Sequence, residues 1–123
     1  MRQKAALPHF PALLVLSLLA AQMTPVPAFA ASFNCNKGHA QDERAICADR
    51  RLNDLDVEMA VRLDIIRRLS AMGARNALMD DQLAWLKARH ACNNDKSCLI
   101  RRYHDRMEEL NGALDRVYRR GPF

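Results

Sequence analysis

Residues 82–98, QLAWLKARHACNNDKSC, decide how the rest of the chain is read. The segment holds the only tryptophan and two of the four cysteines. Leu78, Gln82, Trp85, Arg89 and Cys92 recur every three or four residues, the period of one face of an α-helix. Leu83 and Leu86 flank that face, and Asn93-Asn94-Asp95 stops it with turn-forming residues. The spacing predicts a helix over about 76–91, then a polar turn closed by Cys98.

Downstream, Leu99, Tyr103, Met107, Leu110, Leu114 and Val117 continue the helical period and predict a helix over about 96–119. Gly112 lies inside it at a cost of roughly 1 kcal/mol relative to alanine. Gly121-Pro122 ends the signal. Upstream, Leu52, Leu55, Met59, Leu63, Ile66 and Leu69 mark a helix over about 50–70, its stripe widened by Val57, Val61 and Ile65. Asp49 is placed to cap it. Ser70 to Arg75, with Gly73 as breaker, is the expected reversal before the next helix. Gln41 to Ala48 forms a short helix with Ile46 and Cys47 facing inward, and Asp42 and Glu43 suit its positive end. No segment alternates with a period of two, and no repeat or linker divides the chain. The fold expected is all-α: a small disulfide-stapled antiparallel helical bundle, three main helices plus a short N-terminal one.

Residues 1–30 read as a secretory signal peptide, leaving 31–123 as the helical domain. Arg2 and Lys4 supply the positive start, Pro11 to Ala21 the apolar core, and Ala28-Phe29-Ala30 the small residues at a cleavage site. The apolar run is about 11 residues, against roughly 20 for a membrane span, so no stable membrane insertion is expected after cleavage. Ser32-Phe33-Asn34 before Cys35 makes a poor lipobox. Loss of Arg2 and Lys4 lowers the formal charge from +5 to +3. The remaining charges are interspersed, unlike a nucleic-acid patch.

Four cysteines in a small exported chain read as two disulfides. Sequential pairing, Cys35 with Cys47 and Cys92 with Cys98, is favoured. Crossed pairing, Cys47 with Cys92 and Cys35 with Cys98, also suits a helical hairpin. Each short loop is worth about 2–3 kcal/mol by chain entropy. No CxxC occurs, the spacings are too wide for a zinc knuckle even with His39, His90 or His104, and no cofactor or metal is expected.

The residues at chemistry-bearing positions read mainly as structure. Trp85 falls in the inward stripe. Arg89 is expected to pair within the chain, with Asp56 on the neighbouring helix. Tyr103 and Arg106, one turn apart, complete the same seam with Gln82. His90 and His104 are surface residues in this reading. Asp80 and Asp81 fall in the first turn of their helix and do not converge on one reacting atom. No nucleophile, base and orienting group occur together, so no enzyme is expected.

Phe33-x-Cys35, Glu43-x-x-Ile46-Cys47 and Leu52-x-x-Leu55-Asp56 form one pattern. Gln82-x-x-Trp85-Leu86-x-x-Arg89-x-x-Cys92 and Cys98-Leu99-x-x-x-Tyr103-x-x-Arg106-x-x-x-Leu110 form a second. Together they resemble the lysozyme inhibitor LprI-like N-terminal domain family, over about residues 33–112. The resemblance implies a small exported helical domain of bacteria, periplasmic or secreted, with no catalytic residues to transfer. A named member is a lipoprotein that inhibits lysozyme; without a lipobox, anchoring does not carry over. The implied partner is lysozyme or another envelope protein. Animal lysozymes are usually basic, so a net positive inhibitor would be steered away overall. A local acidic surface of Asp54, Glu58, Asp80 and Asp81 is the candidate contact.

Overall fold

The described residues form four helices, α1 (Gln41–Ala48), α2 (Arg50–Leu69), α3 (Met72–His90) and α4 (Lys96–Arg119). The structure, a computed structural model, describes residues 31–37 and 40–121. The signal-peptide reading, Gly38, His39 and Pro122 fall outside the described residues.

The starts of α1, α2 and α4 each have a chemical cause. At α1 the Glu43 carboxylate accepts the Ala40 N–H at 3.3 Å, half of a capping box. Asp49 leaves the helical region at φ −117°, ψ 118°, ending α1. Its carboxylate then accepts the Leu52 N–H at 3.1 Å and starts α2, as expected of that residue. Asp95 does the same for α4, accepting the Cys98 N–H at 3.0 Å.

The reversal between α2 and α3 differs from expectation. It lies at Ser70 and Ala71, both extended, and α3 begins at Met72, about a turn before the expected start. Gly73 therefore sits inside the first turn of α3, with no positive φ. First-turn N–H groups have no intrahelical acceptor in any case, so glycine there does not break the helix. The carbonyls at the end of α2 find other donors. The Ser70 hydroxyl donates to the Ile66 carbonyl at 2.7 Å. Arg75 donates to the Arg67 and Ser70 carbonyls at 3.1 and 3.2 Å.

Paired contacts give the helix directions. Arg89 faces Asp56 while Gln82 meets Met59, so α3 runs against α2. Trp85 meets Arg102 while Gln82 meets Arg106, so α3 also runs against α4. Asp56 meets Tyr103 and Arg62 meets Asn111, so α2 and α4 run the same way. The α2–α4 contact is the most extensive, and α3 lies across both.

The core takes Ile46 from α1, Leu52, Met59 and Ile66 from α2, Leu78 and Trp85 from α3, and Leu99, Tyr103, Leu110 and Val117 from α4. Each fully buried aliphatic side chain contributes about 1.5–3 kcal/mol of transfer free energy. Four apolar residues face outward: Leu69 (42% exposed), expected in the α2 stripe, Val61 (54%) and Ile65 (39%), expected to widen it, and Leu83 (57%), expected to flank the α3 stripe. Three long helices and one short one cannot enclose both flanks of α2 or the outer side of α3.

The disulfides are sequential. Cys35–Cys47 pins the N-terminal segment to α1 with Cα atoms 5.8 Å apart. Cys92–Cys98 closes the α3–α4 turn with Cα atoms 5.6 Å apart. Among the described residues, no helix is long and apolar enough to cross a membrane.

Candidate functional site

The inward stripe of α3 is half polar, and its polar members reach every other element. Arg89 and Gln82 are 5% and 6% exposed, so their groups need partners inside. The Arg89 Nε donates to Asp42 Oδ2 of α1 at 2.8 Å, and a guanidinium nitrogen lies 3.7 Å from Asp56 Oδ1 of α2. Asp56 also accepts from the Tyr103 hydroxyl at 2.8 Å and from the Ser32 N–H at 2.7 Å. The Arg89 guanidinium carbon sits 5.7 Å from the ring centres of both Phe33 and Trp85, a cation–π placement on each.

Trp85 and Tyr103 meet edge to face at 5.2 Å. The indole N–H donates to the Arg102 carbonyl at 3.0 Å. Gln82 accepts from Arg106 Nε at 3.1 Å and turns its amide toward the Met59 sulfur at 3.6 Å. Arg106 also donates to Glu109 at 2.7 Å, while its buried Nη2 meets no acceptor. Burial, and then the adjacent Asp56, push the Tyr103 phenol well above its ordinary range. Burial works against the Arg89 charge, but the Tyr103 oxygen and the Asp42 carboxylate outweigh it and favour the guanidinium.

Of the six residues expected in the seam, Asp56, Trp85, Arg89 and Tyr103 contact one another, and Gln82 and Arg106 form a second, separate pair. Arg89's closest partner, however, is Asp42, with Asp56 farther off. Asp42 is 1% exposed, and its other oxygen lies 2.6 Å from His90 Nδ1. The sequence carried a signal for it. Asp42 stands one turn before Ile46, and a residue four before an inward residue shares its face.

The acidic residues considered for a partner are spread over the surface. Asp54 lies 4.0 Å from Arg50, and Glu58 lies 2.6 Å from Arg62, which reaches Asn111 on α4. Asp80 and Asp81 are exposed on α3. Asp81 lines a groove of about 1040 Å³ between α3 and α4, floored by Ala74, Ala77, Ala84 and Ala88. A second cavity of about 360 Å³ lies between the N-terminal segment, α2 and α3. Among the described residues no group of His, Cys, Asp and Glu could hold a metal ion.

The most restrained surface is the α3–α4 turn. Asn93 adopts φ 51°, a left-handed conformation that asparagine tolerates. The N–H groups of Cys92, Asn93 and Asp95 donate to the carbonyls of Arg89, His90 and Cys92 at 3.0–3.1 Å. Lys96 pairs with Asp49 across the turn, and His90 is tied to Asp42 just before it. The Lys96 ammonium, then the Leu52 N–H, hold the Asp49 carboxyl below its ordinary range. Asn93, Asn94 and Ser97 are left exposed.

A family model described as lysozyme inhibitor LprI matches residues 34–110. No curated protein and no solved structure matches significantly. The matched segment begins just before Cys35 and ends at Leu110, so it spans both disulfides and the whole seam. The chain belongs to the lysozyme inhibitor LprI family.

Proposed function

We propose that the chain is an exported inhibitor that binds a lysozyme and occludes its substrate cleft, working in the periplasm or outside the cell. The observation that carries this reading is the family match over residues 34–110. The leader-like residues 1–30 and the two disulfides suit an oxidising compartment. The buried seam and the clamped turn support the mechanism, because a surface already held in one shape loses little freedom on binding.

The test is lysis of cell-wall suspensions by chicken-type, goose-type and invertebrate-type lysozymes with excess oxidised protein. Inhibition of at least one, relieved competitively by a soluble N-acetylglucosamine oligomer, is the expected result. Full activity of all three at micromolar excess refutes it.

A second reading has its own observation. Val61, Ile65 and Leu69 follow one another along α2 at turn spacing and are all exposed. Such a stripe suits a module that binds a different envelope protein. Capture of one such protein from periplasmic extract, lost in the Ile65→Glu variant, would favour it.

A further inference from the structure

We infer that the Cys92–Cys98 turn is the element that enters the cleft, with the Asn93 and Asn94 carboxamides hydrogen-bonding to its catalytic carboxyl groups. The inference rests on the inhibitor reading above and names the surface that performs it.

Shape comes first. A cleft is concave, and so are the two cavities described above, the α3–α4 groove and the smaller one beside Phe33. Neither can fill another protein's groove. The turn between α3 and α4 is where the chain reverses at an end of the bundle, and Ala91, Asn93, Asn94 and Ser97 on it are exposed.

Rigidity comes second. The turn is closed by a disulfide, threaded by backbone hydrogen bonds from Cys92 to Asp95, and fixed to the α1–α2 junction through Lys96 and Asp49. Little conformational entropy is left to lose when it docks.

Charge comes third. Asp95 is committed to the Cys98 N–H and Lys96 to Asp49, so both charges on the turn are already engaged. Beside them the exposed Asn93, Asn94 and Ser97 present neutral carboxamides and a hydroxyl. They avoid the close repulsion that a net positive chain would meet at a basic enzyme. Glycosidases place two carboxyl groups about 5–9.5 Å apart around the scissile bond. Two adjacent carboxamides, on Cα atoms about 3.8 Å apart, can each offer an N–H donor to one of them. Asn93 spends little of this capacity inside the chain, its amide reaching the Ala91 carbonyl only at 3.5 Å.

The test uses the full chain, expressed for export and purified oxidised, against the three lysozymes. In the variant Asn93→Gly with Asn94→Ala, glycine keeps the left-handed turn while both carboxamides are removed. Its inhibition constant should rise at least tenfold with an unchanged melting transition. Ala84→Trp, which fills the α3–α4 groove, should inhibit as the parent does. An inhibition constant for the turn variant within twofold of the parent overturns the assignment and leaves the inhibitor reading standing. So does a tenfold loss confined to Ala84→Trp, which would move the contact to the groove. A parent protein that leaves all three lysozymes active refutes the inhibitor reading, and the assignment falls with it.

Discussion

Replacing Arg89 by methionine should remove a large part of the stability of the fold. The arginine lies against two carboxylates with almost no solvent access, Asp42 at 1% and Asp56 at 0% side-chain exposure. Methionine keeps an unbranched apolar stem between the Phe33 and Trp85 rings, so the change deletes charge more than volume. After the change Asp56 still has the Ser32 N–H and the Tyr103 hydroxyl, and Asp42 keeps His90. Removing one side of a buried pair typically costs 3–5 kcal/mol. Domains of about this size are stable by roughly 5–14 kcal/mol in all.

Urea unfolding at pH 7, followed by helical circular dichroism and by Trp85 fluorescence, gives the loss from the midpoint shift if the slope is unchanged. The expected value is about 3–5 kcal/mol. The double variant Arg89→Met with Asp42→Leu removes both members of the closest pair and should recover at least half of it, because an apolar pair needs no compensation. A single variant within 1 kcal/mol of the parent, or a double variant no more stable than the single, would show that the seam does not hold the helices together as argued.

Gly73→Ala should stabilise the protein by about 0.5–1 kcal/mol, since the added Cβ meets nothing within 4 Å and the backbone there is helical with no positive φ; a melting curve reads it. Replacing Cys92 and Cys98 together by serine should cost about 2–3 kcal/mol, read by urea unfolding against the intact protein. The folded-state pKa of Asp49 is depressed, so its contribution is present above the ordinary carboxyl range and is lost as pH falls through the lowered value. In Asp49→Asn, which keeps a cap but loses the Lys96 pair, stability measured between pH 2 and pH 6 should therefore fall less steeply with acid than in the parent.

Most of the fold was legible because the apolar period extends across polar residues. Gln82 and Arg89 fall at positions where the spacing demands inward side chains, and both are buried. Asp42 was missed because an acid in the first turn of a helix already has a sufficient local explanation in the helix dipole. Its burial depends on α3 lying against α1, a tertiary fact. The α2–α3 turn was misplaced because glycine marks a breaker only where the helix would otherwise use its N–H group. Val61, Ile65 and Leu83 show a further limit. Periodicity tells which side of a helix is apolar, but not how many neighbours are present to cover it. The two cysteine pairings became distinguishable only with the helices in place. For the partner surface the sequence carried less, since Asn93 and Asn94 read simply as residues that end a helix.

The seam and the clamped turn act as one device. Arg89 and His90 are in the last turn of α3, and both are tied to Asp42, so the network fixes the helix end from which the turn springs. Cys92 follows directly, buried and bonded to Cys98. A change in the seam therefore moves the turn without touching anything the turn touches. Loss of inhibition in Arg89→Met would thus be weak evidence that Arg89 meets a partner, because loss of stability accompanies it. Asn93→Gly with Asn94→Ala separates the two effects, since both side chains are exposed and Asn93 bonds to the Ala91 carbonyl rather than to the network. Stability changed with the seam, and inhibition changed alone with the turn, is the pattern that distinguishes a scaffold from the surface it presents.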